Sequence, residues 1–239
     1  MERDAFETPG GVGVTAVTAD EMRAVDRVAV EDVGLALGQM MENAGRTLAA
    51  QVRELGAGTA SSVTVLAGNG GNGGGGMACA RHLANRDVPV SVVLDRDPAE
   101  LTGATAQQHA IVGAMDVPVG VGPGAVDAPA LVVDALVGYG LTGPLDGTAA
   151  DLVRATGDAE TTLSLDVPTG RNATTGTEPG VAVAPDRVLT LALPKTGLAD
   201  GDWDLWLADI AIPATVYDRL DIPYASPFEK YWVELQSSA

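Results

Sequence analysis

The sequence predicts an α/β protein: a mostly parallel sheet between two helical layers, α/β/α. Three observations carry that prediction. Short β-branched apolar runs alternate with helical patterns along the chain, as expected for strand–helix–strand units. One run, Val63–Ala67, passes directly into Gly68–Gly76, seven glycines and two asparagines, before a helical pattern resumes over Met77–Arg86. The ends of the apolar runs also hold the chain's unusual residues, namely the glycines after 67, Asp95, Asp134, Asp166 and Lys195. Ligands of open parallel sheets sit outside the carboxyl ends of the strands, so these residues should converge. The arrangement is Rossmann-like.

Taken in order, residues 1–17 read as a flexible tail with Gly10, Gly11 and Gly13 close together. Thr18 with Glu21 three residues later is a capping box. It opens a helix that carries Met22, Val25, Ala29 and Val33 on one stripe and stops at Gly34. A second helix spans Leu37–Leu55. Its mid-helix Gly45 costs about 1 kcal/mol against alanine, so a neighbour should pack closely there. Strands are expected at Val63–Ala67, Val88–Leu94, Ala130–Val133, Thr162–Leu165, Arg187–Ala192 and Asp204–Leu207. Helices are expected at Thr102–Ala114 and Thr148–Thr156. The folded domain should run from 18 to 213, with residues 214–239 an irregular tail that holds most of the aromatics.

Composition narrows the class. A chain of 239 residues, 46% of them hydrophobic, suits one α/β domain with a real core. No apolar run reaches the ~18 residues that would span a bilayer. The start MERDAFETPGG lacks the basic and apolar segments of a signal peptide. One cysteine, Cys79, rules out an internal disulfide, so a cytoplasmic protein is expected. Cys79 and the two histidines, His82 and His109, read as structural. Asn172-Ala173-Thr174 matches a glycosylation sequon without a secretion signal to support it. The net charge is −18 and only two lysines occur, so the surface repels itself in dilute buffer. Molar salt would screen that repulsion over ~3 Å, which points to a halophilic, salt-in, archaeal-type cytoplasm. Nucleic acid is excluded as a partner for want of basic clusters.

Gly68-Asn69-Gly70-Gly71-Asn72-Gly73 satisfies the dinucleotide fingerprint, with Asp95 about twenty residues on, where a ribose-binding acid would stand. The glycines let the backbone turn and let a phosphate approach, and a helix start offers free N–H groups. An NAD-dependent dehydrogenase is one reading. Against it, the glycine run is longer than the fingerprint needs, and no second domain follows to hold a substrate. Asp134 and Asp166 can equally cap helices after a strand, and Pro168-Thr169-Gly170 can be a plain turn.

Several separated motifs together resemble the YjeF N-terminal domain family, the NAD(P)H-hydrate epimerases: Met41-Glu42-Asn43-Ala44-Gly45, the loop Gly68–Gly76, Asp134 with Gly138-Tyr139-Gly140, Asp166-Val167-Pro168-Thr169-Gly170, Pro194-Lys195 and Asp209-Ile210-Ala211-Ile212-Pro213. The resemblance covers about Thr18 to Pro213. It implies a Rossmann-like homodimer that interconverts the R and S epimers of hydrated NADH and NADPH (NADHX and NADPHX). A partner dehydratase, here a separate chain, would then restore the cofactor. It also implies a ligand loop at Gly71, Asn72, Gly73, Gly74 and Gly75 and ligand contacts at Gly138, Tyr139, Gly140, Leu141, Thr142, Gly143, Pro144 and Asp166. Asn72, Asp134 and Thr169 match the family's potassium ligands, and amide, carboxylate and hydroxyl oxygens suit a hard cation.

One departure stands out. The family's loop aspartate is Gly75 in this chain, and its first asparagine is Gly71. Epimerisation through loss of the hydroxyl to an iminium and re-addition on the other face gains about 10²–10⁴-fold from a proton donor. Lys195, at a strand end in a chain that nearly avoids lysine, is the first remaining candidate and Asp166 the second. The alternative is a catalytically degenerate nucleotide-binding or scaffold protein of the same fold.

Overall fold

A computed structural model describes residues 5–56, 62–127 and 130–238. Thr18 caps the first helix, α1 (Ala19–Arg27), as expected: its hydroxyl accepts from the Glu21 amide and the Glu21 carboxylate accepts from the Thr18 amide. The helix then widens into a π-helical turn, Val28–Val33, which Gly34 ends at φ 83°. Helix α2 (Leu37–Glu54) buries Met40, Met41, Ala44, Leu48 and Val52 along one face. Gly45 is the close approach its sequence position suggests. A Cβ there would stand 2.5 Å from that of Ala78 and 2.7 Å from the Gly75 carbonyl, so α2 lies directly on α3.

Before these helices the chain forms β1 (Phe6–Glu7) and β2 (Gly13–Val14). After α2 come β3 (Val63–Ala67), α3 (Gly71–Ala84), β4 (Val90–Leu94), α4 (Gly103–Gly113), β5 (Val119–Val121) and β6 (Leu131–Ala135). They are followed by α5 (Gly147–Ala155), β7 (Thr161–Leu165), β8 (Arg187–Leu191), β9 (Asp204–Ala208), a short α6 (Ala214–Asp218) and β10 (Trp232–Ser237). One sheet takes them all in the order β2-β1-β10-β9-β8-β7-β6-β3-β4-β5. The run from β9 to β5 is parallel, and β10, β1 and β2 are antiparallel. The central strands β3 and β6 are buried on both faces, which is why they read as continuous apolar runs. On one face Val65, Val133 and Leu163 meet α2 and α3. On the other, Leu66, Val93 and Val132 meet Leu152 and Val153 of α5.

Three expectations need correction. Residues 5–17 are not a flexible tail. β1 pairs with β10 and β2, Phe6 is fully buried, and Val17 bridges to Lys195. Short strands flanked by polar residues gave too weak a periodicity to reveal this. Residues 214–238 likewise return to the sheet, with β10 covering the edge of β9 and so sparing an open hydrogen-bonding edge. Finally, the glycine stretch is mostly helix. α3 starts at Gly71, six residues before the sequence pattern resumes; the five glycines among those six residues hide the apolar stripe that signals a helix.

Candidate functional site

The parallel strands run outward from β3 to β5 on one side and from β6 to β9 on the other, so the strand order reverses between β3 and β6. A crevice at the carboxyl ends there is the usual ligand site of such sheets. A cavity of about 600 Å³ opens at that point, within the range that holds small ligands. Its apolar wall comes from Met40, Met41, Ala44, Val30, Leu37 and Ile210. Its polar floor comes from the strand ends.

The β3 end contributes backbone. Gly70 is extended (φ −170°) and α3 begins beside it. Asn69 ties this turn to α4: its side-chain Oδ1 accepts from the Thr102 amide at 3.1 Å, while the Thr105 hydroxyl donates to the Gly70 carbonyl at 3.0 Å. Gly70, Gly71 and Asn72 line the cavity. Gly73, Gly74 and Gly75 do not. A Cβ at Gly73 would stand 1.8 Å from the Gly68 carbonyl, one at Gly74 2.6 Å from the Met41 thioether, and one at Gly75 3.0 Å from Leu165. These are packing glycines, and the sequence pattern offers no way to tell them from ligand-facing ones.

The ends of β6, β7 and β8 contribute side chains. Asp166 follows β7 with φ +70°, a left-handed conformation that costs a non-glycine residue about 1–3 kcal/mol. Its buried carboxylate accepts from the Lys195 ammonium, from the Leu191 amide at 3.3 Å and from the Tyr139 amide at 3.1 Å. Lys195 is fully buried. Its ammonium also donates to the Leu191 carbonyl at 2.8 Å and reaches the Thr190 hydroxyl at 3.4 Å. Flanking backbone bonds from Val17 to Pro194 and from Thr196 to Val17, each 2.9 Å, hold the lysine in place. Gly138 is a true close approach, since a Cβ there would lie 2.9 Å from both Asn72 Oδ1 and Asp166 Oδ2. Tyr139 and Gly140 complete this wall. Leu141, Thr142, Gly143 and Pro144 follow outside the cavity lining.

Asp134 belongs to a different environment. It sits within β6, opposite Ser164 of β7, and is fully buried. Its carboxylate accepts from the Ser164 hydroxyl at 2.8 Å, the Thr169 amide at 2.9 Å, the Thr169 hydroxyl at 2.6 Å and the Leu136 amide at 3.3 Å. All four donors are neutral. Burial raises its pKa against the lowering effect of these bonds. Asn72 does not join this cluster by a hydrogen bond; its amide donates to the Leu165 carbonyl at 3.0 Å. Among the described residues no cationic side chain pairs with Asp134; two hydroxyls and two backbone N–H groups hold its carboxylate.

Several cavity residues were not legible in the sequence. Asp26, Arg23 and Arg27 come from α1, and Arg96 from the turn after β4. The Tyr139 hydroxyl donates to the Asp26 carboxylate. Arg96 is clamped on Asp95 by two bonds of 2.9 Å. The one available signal was the placing of three arginines there in a chain with so few cations.

A parallel sheet with a polar crevice where its strand order reverses defines an α/β protein of the small-molecule-binding class. Residues 37–197 match the family described as YjeF-related protein N-terminus, and the chain belongs to that family. An "NAD(P)H-hydrate epimerase" of Dehalogenimonas lykanthroporepellens is 43% identical over 242 residues, covering 98% of both chains. The "Bifunctional NAD(P)H-hydrate repair enzyme Nnr" of Salinibacter ruber is 37% identical over 226 residues; the match covers 85% of this chain and 42% of that longer one. The crystal structure of yeast ynu0 superposes with a TM-score of 0.78 at 22% identity, covering 92% of this chain and all of that one. This confirms the three-layer α/β fold with its mostly parallel sheet. Its relatives are named as epimerases, which are isomerases, and the chain is an enzyme of their family.

Proposed function

We propose that the protein is an NAD(P)H-hydrate epimerase, interconverting the R and S forms of NADHX and NADPHX in nicotinamide-cofactor repair. The observation that carries this reading is the buried Asp166–Lys195 pair at the cavity floor, in a chain that matches an epimerase of the same family along nearly its whole length. Gly70, Gly71 and Asn72 offer backbone amides to the dinucleotide's phosphates, with Arg23 and Arg96 at the same opening. Met40, Met41 and Ile210 supply an apolar wall for a ring. Asp166, fixed by Lys195 and the Tyr139 amide, faces the reacting carbon and favours the cationic iminium by charge. Asp134, Thr169 and Asn72 would hold potassium, whose charge would compensate the buried Asp134 carboxylate.

A homodimer, a dehydratase partner and a high-salt cytoplasm complete the reading. The surplus of surface acid supports the last of these. The test follows one pure NADHX epimer by chiral separation in molar potassium chloride. Acceleration over the spontaneous rate is expected, and a time course that matches the blank would refute the reading. The alternative is a binder of the same fold without turnover. Ligand-induced thermal stabilisation without acceleration would select it.

A further inference from the structure

Three carboxyl groups line the cavity, and their partners differ. Asp95 is clamped by Arg96 and Asp166 is paired with Lys195. Asp26 has neither kind of partner among the described residues; its bond comes from the Tyr139 hydroxyl. Arg23, one turn earlier on α1, pairs instead with Asp20, and its guanidinium lies 5.9 Å from the centre of the Tyr139 ring. The Lys195 ammonium lies 5.8 Å from the same ring. Tyr139 therefore holds two carboxyls at once: its backbone N–H donates to Asp166 and its phenol to Asp26. Two carboxyls with contrasting partners in one site are how proteins divide acid and base roles.

We infer that Asp26, carried by the Tyr139 hydroxyl, is the acid–base group that exchanges the proton with the hydroxyl of the hydrated nicotinamide. The inference rests on the epimerase reading. In one direction Asp26 gives its proton to the hydroxyl oxygen, the C–O bond breaks and water departs. The lone pair of the adjacent ring nitrogen forms the C=N bond of the iminium. Water then adds to the other face of that carbon, the C=N electrons return to nitrogen, and the released proton passes to the Asp166 carboxylate. Exchange with solvent resets both carboxyls. In the opposite direction Asp26 accepts the proton. Water is the sole co-reactant.

The groups that face Asp26 favour this assignment. Burial raises its pKa, the Tyr139 bond and the Lys195 charge lower it, and the Asp166 charge raises it. Tyr217, packed behind α1, is neutral, its phenol pushed up by burial. The carboxyl is thus shifted towards the range where an acid can give and regain a proton.

The experiment compares wild type, Asp26→Asn and Tyr139→Phe in the single-epimer assay across pH, with thermal melts and NADH-induced thermal shifts as controls. Asp26→Asn keeps an acceptor for the tyrosine. It should lower kcat about 10²–10⁴-fold while KM and the melt hold, and one limb of the pH profile should vanish. Tyr139→Phe keeps the ring between the two cations. It should move that limb to higher pH, because the lost bond favoured the carboxylate. Undiminished kcat in Asp26→Asn, or a limb unmoved in Tyr139→Phe, overturns the inference while the epimerase reading stands. If Asp26→Asn does not fold, the Tyr139→Phe limb decides. A wild type without acceleration overturns the epimerase reading and this inference with it.

Discussion

The two halves of the crevice are built in opposite ways. At the β3 end no titratable side chain takes part, and Gly68 to Gly76 bring backbone against backbone. At the ends of β7 and β8 the backbone turns left-handed at Asp166 and Ala192, and the side chains of Tyr139, Asp166 and Lys195 interlock. A residue of the first half matters for the volume it lacks, and one of the second for the charge or proton it holds. Substitutions in the first half should therefore be read in stability, and those in the second in turnover and pH dependence.

Lys195→Met should have the largest effect. It leaves Asp166 as a buried charge without its ammonium, which costs about 3–5 kcal/mol and should abolish turnover. The single-epimer assay reads the loss, with urea unfolding beside it, and wild-type turnover would break the contrast at its strongest point. Next are the glycines. Gly73→Ala drives a Cβ to 1.8 Å from the Gly68 carbonyl, a backbone clash worth about 1–3 kcal/mol or more. Gly71→Ala meets nothing within 4 Å and should stabilise by about 0.4–1 kcal/mol. Equal effects at the two positions would show that the glycine stretch does not divide into packing and open residues. Gly75→Asp should destabilise without restoring activity, since the position is buried against Leu165 and Ala44 rather than open to the cavity.

The next expectation concerns pH. Burial raises the folded pKa of Asp26 and Asp134 above the usual 3.8. Between that value and the folded one the native state binds more protons than the unfolded, so stability falls as pH rises through the window. Asp26→Asn removes its part of this loss. Its melting temperature should therefore match or exceed wild type at neutral pH and fall relative to wild type below the window. A variant less stable at neutral pH would mark Asp26 as a structural group. For Asp134, replacing potassium with choline at constant ionic strength should lower the melting temperature if a cation binds the folded state alone. Thr18→Ala, outside both halves, removes the cap of α1 for about 0.5–2 kcal/mol and should leave the pH profile of turnover unchanged.

Much of this was legible in the sequence. The six strands foreseen all appear, with boundaries shifted by a residue or two, because strands buried on both faces read as plain apolar runs. Asp166 and Lys195 were found at strand ends because acid and lysine are conspicuous there. Asp26 was not, since on an amphipathic helix a carboxyl beside the apolar stripe looks like any solvent-facing acid. The three-residue strand β5 and the two-residue strands β1 and β2 escaped because they are short, and β10 because it is half polar.

The sequence by itself determined the alternation of elements, the direction of the sheet and the edge at which the polar residues gather, all of which follow from periodicity and chain connectivity. Only the tertiary structure decided which glycines pack and which line the cavity, because a missing Cβ has meaning only against a neighbour. It alone also joined α1 to the β6 end through Asp26 and Tyr139, 113 residues apart in the chain. Contacts at that separation depend on how the helices dock, which no local pattern encodes.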